Sequence, residues 1–235
     1  MFGENLRVLA LFAALAAWFG TPAKAADPLV TVGFDDYKAT DGSVADWLEQ
    51  KGFTFERAAD NPRKISLSFA DGALQIAALQ QTFGLMYKEM EVPGAESVRL
   101  TWGVNDFPDG ASYAKGVNNE ALMVYVFFGK ETMPSGSMII PDVPYFIGLY
   151  LCDADAVDEP YTGRYHEDSG RFVCLERPAE GERVTSEINL AEAFEAYFGK
   201  SPMPTISGFS LEVDTGKSKN GGVASAFIEK IEFLP

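Results

Sequence analysis

The chain has 235 residues, of which 34 are acidic and 19 basic, so its formal net charge is −15 at pH 7. A surface this acidic repels nucleic acid and anionic lipid, and it disfavours anionic glycans. Nucleic-acid binding is therefore excluded, and no membrane insertion is expected of the mature protein.

The first 25 residues have the order of a secretory signal peptide. Arg7 precedes an apolar run over residues 8–20, and Ala23 and Ala25 supply small side chains before the cleavage point. The run is too short for a spanning helix, which needs about 20 apolar residues. Glu4 weakens the basic end. We expect export to the periplasm of a Gram-negative bacterium or beyond, with residues 26–235 forming a single domain.

Short segments rich in β-branched and aromatic residues, separated by turn residues, follow the leader. Asp71-Gly72 is a strong hairpin signal, because glycine supplies the positive φ of a tight turn. The segment 121–128 is apolar on both faces, which predicts a central strand. The predicted strands are 29–34, 65–69, 73–78, 83–91, 97–104, 121–128, 145–152, 171–175, 206–213 and 224–233.

One segment near residues 190–198 has helical character. Asn189 can cap its start, Glu192 stands three residues on, and Gly199 can end it. A second short helix is predicted over residues 44–50, anchored by Trp47. Many strands and one longer helix indicate an all-β fold, an antiparallel, jelly-roll-like β-sandwich with one packed α-helix.

The mature chain has two cysteines, Cys152 and Cys174. An even count in an oxidising compartment predicts one disulfide. With His166 as the single histidine, the cysteines cannot complete a zinc site.

Seven stretches of the mature chain form an ordered set of motifs: LTWGV (100–104), KGVNNEALMVYVFF (115–128), YFIGLYL (145–151), INLAEAFEAYFG (188–199), PTISG (204–208), EVDT (212–215) and the closing strand 224–233. In this order they resemble an uncharacterised bacterial exported family, the domain of unknown function numbered three-zero-four-seven. The resemblance covers roughly residues 45–235. It implies an exported β-rich domain and supplies no activity. Asn118-Asn119 and Gly216-Lys217 depart from the acidic residues of the family pattern, which weakens any cation site here.

A structural calcium ion is one interpretation of Asp35, Asp36 and Asp41, with Glu229 close by if the terminal strands pair. The alternative is a set of ordinary turn aspartates, which the sequence favours, because turns are rich in aspartate without any metal. No cofactor is required on either interpretation. The acidic loop of Asp153, Asp155, Asp158 and Glu159 fails the calcium-loop template.

A ligand site is predicted where polar strand-end residues converge with an aromatic ring. Amides and carboxylates bind sugar hydroxyls, and an aromatic face stacks on a sugar ring. The predicted ligand-binding residues are Trp102, Asn105, Asp106, Asn118, Asn119 and Asp214. Because Trp102 alternates with Arg99 and Thr101, the sequence favours a buried core tryptophan over one that stacks on a ligand.

The sequence contains no nucleophile elbow and no phosphate loop. Tyr161, Arg164, Tyr165 and His166 lie in one loop and could act on a polysaccharide, but loops seldom hold catalytic geometry. The leading hypothesis is a non-catalytic exported sandwich that binds a glycan or another envelope component. The alternatives are a polysaccharide lyase or glycoside hydrolase, using Tyr165 and His166 or a carboxylate pair, and a structural protein of the envelope.

Overall fold

The computed structural model describes residues 26–235, so the leader interpretation of residues 1–25 lies outside the described residues. The strands are β1 (Val30–Gly33), β2 (Thr54–Arg57), β3 (Ile65–Ala70), β4 (Ala73–Leu79), β5 (Phe83–Val92), β6 (Ser97–Asp106), β7 (Glu120–Met133), β8 (Val143–Leu151), β9 (Pro160–Tyr161), β10 (Gly170–Glu176), β11 (Val184–Asn189), β12 (Ile206–Asp214) and β13 (Val223–Leu234). The α-helices are α1 (Val44–Gln50) and α2 (Leu190–Phe198).

Two packed sheets form the β-sandwich that the sequence predicts. The six-stranded sheet has the order β11-β6-β13-β4-β3, and β1 pairs with β13 as well. The seven-stranded sheet has the order β2-β5-β12-β7-β8-β10-β9. All neighbours are antiparallel except β8 and β10. The predicted pairing of the terminal strands is confirmed, since Val30 lies opposite Phe233.

The apolar strand β7 lies in the middle of the seven-stranded sheet, between β12 and β8, as its two apolar faces predict. Ala121, Val124 and Val126 belong to the core between the sheets, whereas Met123 and Tyr125 belong to a second cluster on the outer face. The seven-stranded sheet therefore buries apolar side chains on both of its faces.

Three strands are absent from the sequence prediction: β2, β9 and β11. Strand β9 has only two residues, which no periodicity can reveal. Strand β11 alternates polar and apolar residues but runs directly into α2, so its last residues look like a helix cap. It pairs with β6 along its full length, from Val184 opposite Trp102 to Asn189 opposite Ser97.

Both predicted helices form, and α2 has the predicted caps. The Ser43 hydroxyl accepts a hydrogen bond from the Asp46 N–H at the start of α1, and Trp47 is buried. The Asn189 side chain accepts one from the Glu192 N–H at the start of α2, and Gly199 ends that helix with φ of 64°. At its inner face, α2 packs Phe194 against Phe128, with ring centroids 5.1 Å apart.

Cys152 and Cys174 form the predicted disulfide, with Cα atoms 5.7 Å apart. The bond joins the end of β8 to β10 and closes the intervening loop, which carries Asp155. Cys174 is fully buried and Cys152 nearly so. Among residues 26–235, no helix combines the length and the apolar character that crossing a membrane requires.

Candidate functional site

The outer face of the seven-stranded sheet carries aromatic and acidic side chains in register. Strands β5, β12 and β7 lie side by side, and alternate residues of each point outward. One cross-strand row contains Leu85, Glu212 and Met123, and the next contains Tyr87, Ser210 and Tyr125. Ser210 is small and buried, so the larger side chains on either side of β12 lie over it.

Two glutamates on neighbouring strands form a buried carboxyl pair. Glu120 begins β7 and is 2% exposed, and Glu212 lies near the end of β12 and is 6% exposed. The two side chains hydrogen-bond to each other. The hydroxyl of Tyr113 donates to Glu120 Oε2 at 2.7 Å, and that of Tyr125 donates to Glu212 Oε1 at 2.7 Å.

No basic side chain of residues 26–235 forms an ion pair with either carboxyl. Glu120 Oε1 is buried, and no N–H or hydroxyl of the described residues donates to it. A hydrogen bond between two carboxyls requires a proton on one of them. Proton sharing is therefore what keeps this pair from carrying two buried negative charges.

The pKa values of the pair are raised for a physical reason. Burial raises the pKa of Glu120 well above its ordinary value, and the charges of Glu212 and Asp214 raise it further. Burial raises the pKa of Glu212 to about 7, against its hydrogen bonds with Glu120 and Tyr125. Burial also raises the pKa of Asp214, against the Gly216 N–H. The pair thus retains at least one proton at neutral pH.

The segment of residues 107–119 covers the pair through Tyr113. The Tyr113 ring stacks on Phe172 with centroids 4.8 Å apart, and it also lies 4.8 Å from the Tyr150 ring. Tyr113 is buried, while the three residues after it, 114–116, are exposed. The segment therefore inserts one aromatic side chain into the outer face and leaves its own tip in solvent.

Asp155, in the disulfide-closed loop, holds this segment in place. Its carboxylate accepts hydrogen bonds from the Ser112 hydroxyl at 2.7 Å and the Tyr113 N–H at 2.8 Å. It also accepts from the Ala114 N–H and the Tyr150 hydroxyl. Although burial opposes the shift, these hydrogen bonds lower the pKa of Asp155, so it is a carboxylate at neutral pH.

The half of the outer face nearer β2 stays open to solvent. Phe83 is 37% exposed, and Leu85, Tyr87 and Phe127 are half-buried. The Tyr87 and Phe127 rings meet edge to face with centroids 5.8 Å apart. Glu56 and Glu89 are exposed beside them. This open aromatic surface, defined here as Phe83, Leu85, Tyr87 and Phe127, continues into the covered part over Tyr125 and Phe146.

The predicted ligand-binding residues divide into two groups. Asn118, Asn119 and Asp214 lie at the end of the seven-stranded sheet, where Asp214 is opposite Glu120. Asn119 is buried, and its Oδ1 accepts from the Lys217 N–H. Asn105 and Asp106 end β6 in the other sheet, at the same end of the sandwich because the segment 107–119 connects them to β7.

Trp102 does not join them. It is 1% exposed in the core between the sheets, where its Nε1–H donates to the Ser186 hydroxyl. A ring enclosed by the two sheets cannot stack on a ligand at the surface, so we remove Trp102 from the candidate site. The tryptophan faces inward because its strand alternates with Thr101, whose hydroxyl meets Thr185 on the outer face.

The pairing of β1 with β13 brings the predicted metal residues Asp35, Asp36 and Glu229 near one another, but they do not form a metal site. Phe34 N–H donates to the Glu229 carbonyl, which places Asp35 and Asp36 beside β13. Asp36 instead pairs with Lys51 at 2.9 Å and Glu229 with Arg183 at 2.6 Å, so both of these carboxylates already have cations. Within residues 26–235, no group of three or more His, Cys, Asp or Glu side chains is arranged to hold a metal ion.

The tyrosine and histidine loop is separate from the carboxyl pair. His166 packs its ring edge-on against Phe146, and its Nδ1 has no partner among the described residues. Tyr165 lies under Arg164. Tyr161 lies at the edge of the sheet, 6.4 Å from Tyr113. Burial lowers the pKa of His166, and the charge of the nearby Asp142 opposes that shift.

Glu120, Glu212, Tyr113 and Tyr87 were absent from the sequence prediction. Glu212 alternates with the inward-facing Leu211 and Val213, a pattern that predicts a solvent-exposed glutamate. Only the pairing of β7 with β12 shows that it meets Glu120. A signal was present in Glu120 itself, a charged residue that directly precedes an apolar run of eight residues.

Two open clefts lie away from this face. One of about 680 Å³ lies beside the end of α2 and is lined by Tyr145, Phe194 and Lys200, among others. A second of about 480 Å³ is lined by Phe107, Asp109 and Glu180, among others. Neither contains a buried, unpartnered polar group, and we therefore place the candidate site at the carboxyl pair and the open aromatic surface.

Several solved structures are similar to this chain at low sequence identity. The potassium-bound carbohydrate recognition domain of Emp46p is 14% identical, with a TM-score of 0.40, over 86% of this chain and 94% of that one. Lectin I-B4 from Griffonia simplicifolia is 10% identical, with a TM-score of 0.42, over 86% and 98%. The xyloglucanase domain of NopAA from Sinorhizobium fredii is 10% identical, with a TM-score of 0.39, over 75% and 91%. No family model and no curated protein matches the chain.

Proposed function

We propose that this chain is an exported, non-catalytic protein that binds a neutral glycan on the outer face of its seven-stranded sheet. The observation that carries the proposal is the open aromatic surface, where Phe83, Leu85, Tyr87 and Phe127 remain partly in solvent on a face that no second sheet covers. We propose as well that it belongs to the exported family that its C-terminal motifs resemble.

The chemistry of this surface suits a sugar. An aromatic ring offers a flat apolar face to the C–H side of a pyranose, and a tyrosine adds a hydroxyl for hydrogen bonding. Glu56 and Glu89 border the rings and are acceptors for sugar hydroxyls. The net charge of −15 opposes binding of anionic glycans, so the proposal specifies a neutral one.

The location proposed for this activity is the periplasm or the cell exterior. The disulfide between Cys152 and Cys174 supports it, because such bonds persist in oxidising compartments and are rare in the cytosol. The proposed binding requires no cofactor. The calcium chelator in the binding experiment tests whether a structural calcium ion contributes.

A glycan array probed with the mature protein, with and without a calcium chelator, tests the proposal. We expect binding to neutral glycans that Tyr87→Ala weakens at least about tenfold, the effect of losing one well-placed stacking ring. Leu79→Ala is the matched control, because Leu79 is also exposed but belongs to the six-stranded sheet. Absence of binding in both conditions, or equal loss in the two variants, would contradict the proposal.

The carboxyl pair favours a second candidate, a glycoside hydrolase. Two carboxyls with raised pKa values are typical of general acid and base catalysis. Glycoside hydrolysis, however, uses carboxyls roughly 5 to 9.5 Å apart, whereas Glu120 and Glu212 are in hydrogen-bond contact beneath Tyr113. Binding is the better-supported function. Release of reducing sugar from a polysaccharide, abolished in Glu120→Gln, would reverse this order.

A further inference from the structure

We propose that Tyr113 occupies a sugar-binding subsite of its own protein and must leave it for a glycan to bind there. The subsite consists of the aromatic floor of Tyr150 and Phe172 and of the Glu120–Glu212 pair at its end. The inference rests on the proposed function, because it extends the glycan-binding face from the open aromatic surface into the covered half of the same sheet.

The contacts of Tyr113 are those that a bound sugar ring would make. Its six-membered ring lies on two aromatic rings, 4.8 Å from the centroid of each. Its hydroxyl reaches past them and donates to Glu120 Oε2 at 2.7 Å. A flat ring stacked on aromatic side chains, with a hydroxyl donated to a carboxylate, is an arrangement that holds a pyranose.

The carboxyl pair has unused hydrogen-bonding capacity at this position. Glu120 Oε1 is buried and accepts from no N–H or hydroxyl of residues 26–235. Each carboxyl oxygen can accept two hydrogen bonds, so the pair can accept from a ligand while its shared proton joins the two glutamates. Tyr113 offers the pair one hydroxyl, whereas a sugar offers several. A sugar hydroxyl bound at the pair would therefore compete with the hydroxyl of Tyr113.

The segment that carries Tyr113 is built as a separate unit. Ser112 and Val117 exchange two backbone hydrogen bonds and close a small loop around Tyr113. Asp155 is the main tie between this loop and the sheet, and the Lys217 ammonium adds one bond to the Gly116 carbonyl. Displacing the loop thus breaks a few hydrogen bonds and uncovers Tyr113, its aromatic floor and the carboxyl pair, while the strand pairings remain.

Two variants separate a displaceable Tyr113 from a structural one. Tyr113→Ala empties the subsite, and Asp155→Asn keeps the tyrosine but weakens its tie. The probes are the neutral oligosaccharides cellotetraose and mannotetraose, titrated calorimetrically, and p-cresol, which reproduces the tyrosine side chain. Toluene is the matched control for p-cresol, because it lacks the hydroxyl that Glu120 accepts.

We expect the Kd of Tyr113→Ala for the oligosaccharide that wild type binds to fall about tenfold, because the closed fraction no longer reduces the apparent affinity. Asp155→Asn is expected to lower the Kd to a smaller extent. p-Cresol, but not toluene, should raise the Tm of Tyr113→Ala and compete with the oligosaccharide in that variant only.

The inference is overturned if Tyr113→Ala binds the oligosaccharide no more tightly than wild type, or if p-cresol binds the variant without displacing the sugar. The proposed function has its own readout, which is wild-type binding that Tyr87→Ala removes. Wild-type binding with no gain in Tyr113→Ala therefore rejects the subsite alone, and absence of oligosaccharide binding in both proteins rejects both proposals. If Tyr113→Ala does not fold, the Kd of Asp155→Asn decides the question, and a Kd no lower than that of wild type then overturns the inference.

Discussion

Replacing both members of the carboxyl pair by amides should remove a large pH dependence of stability. Glu212 has its pKa raised from 4.5 to about 7 in the folded protein, and Glu120 is raised as well. Below about pH 4.5 the folded and unfolded chains both hold these protons. As the pH rises, the unfolded chain releases them first, so stability present at low pH is lost progressively up to the folded pKa.

The magnitude follows from the shift of Glu212. A change of one pKa unit corresponds to about 1.4 kcal/mol, so the shift from 4.5 to about 7 contributes about 3 kcal/mol of lost stability between those pH values. In Glu120→Gln/Glu212→Gln the amides can hydrogen-bond to each other and still accept from Tyr113 and Tyr125. Because the raised pKa of Glu120 adds to this effect, the double variant should lose at least about 3 kcal/mol less than wild type between pH 4.5 and 7.5.

Urea unfolding at a series of pH values measures this difference. Glu56→Gln/Glu89→Gln is the matched control, because it removes two carboxyls that are exposed on the same sheet. The control should follow the wild-type slope. A double-amide variant whose free energy of unfolding falls with pH as steeply as that of wild type would refute the account of a buried, proton-sharing pair.

Three further predictions concern the surroundings of the site and the core. Tyr125→Phe removes the hydroxyl that donates to Glu212. The free energy of unfolding should therefore fall by about 1–3 kcal/mol at pH 7.5 and by less at pH 5. An equal loss at both pH values would contradict the hydrogen bond to a carboxylate. Cys152→Ala/Cys174→Ala should cost about 3 kcal/mol in urea unfolding, and two reactive thiols in unfolded, unreduced wild-type protein would disprove the bond. Phe194→Ala should cost about 3–5 kcal/mol, because its fully buried ring joins α2 to the core, and a cost under about 1 kcal/mol would mean that α2 does not pack there.

Much of the sandwich is predictable because its strands alternate and its helices carry caps. The hairpin at Asp71-Gly72 forms between β3 and β4, which pair from Ile65 to Ala78. Helix α2 begins after Asn189 and ends at Gly199, as the capping residues indicate. Local sequence determines the hairpin and the helix caps, so their prediction does not depend on contacts between residues far apart in the chain. Strand β11 was missed because it runs directly into α2, so its last residues look like a helix cap.

The candidate site could not be assembled from the sequence for the same reason. Glu120 and Glu212 meet only because β7 and β12 are neighbours, with a register shift between Glu212 and Asp214 that no local pattern encodes. Tyr113 reaches them from a loop held by Asp155, 42 positions away. Asp214 and Asn119 were predicted correctly to lie at strand ends. The sequence did not indicate that Glu120 lies opposite Asp214 at that end of the sheet.

Hydrogen–deuterium exchange with and without the bound neutral glycan tests the central claim most directly, because it locates the ligand on the described chain. We expect protection of the amides in Phe83–Val92 and Ile206–Asp214, the strands that carry Tyr87 and Glu212, and a change in residues 107–119. The strands of the six-stranded sheet serve as the internal reference and should exchange at the same rate in both samples. Protection confined to the six-stranded sheet, or no protection at saturating glycan, would contradict the account.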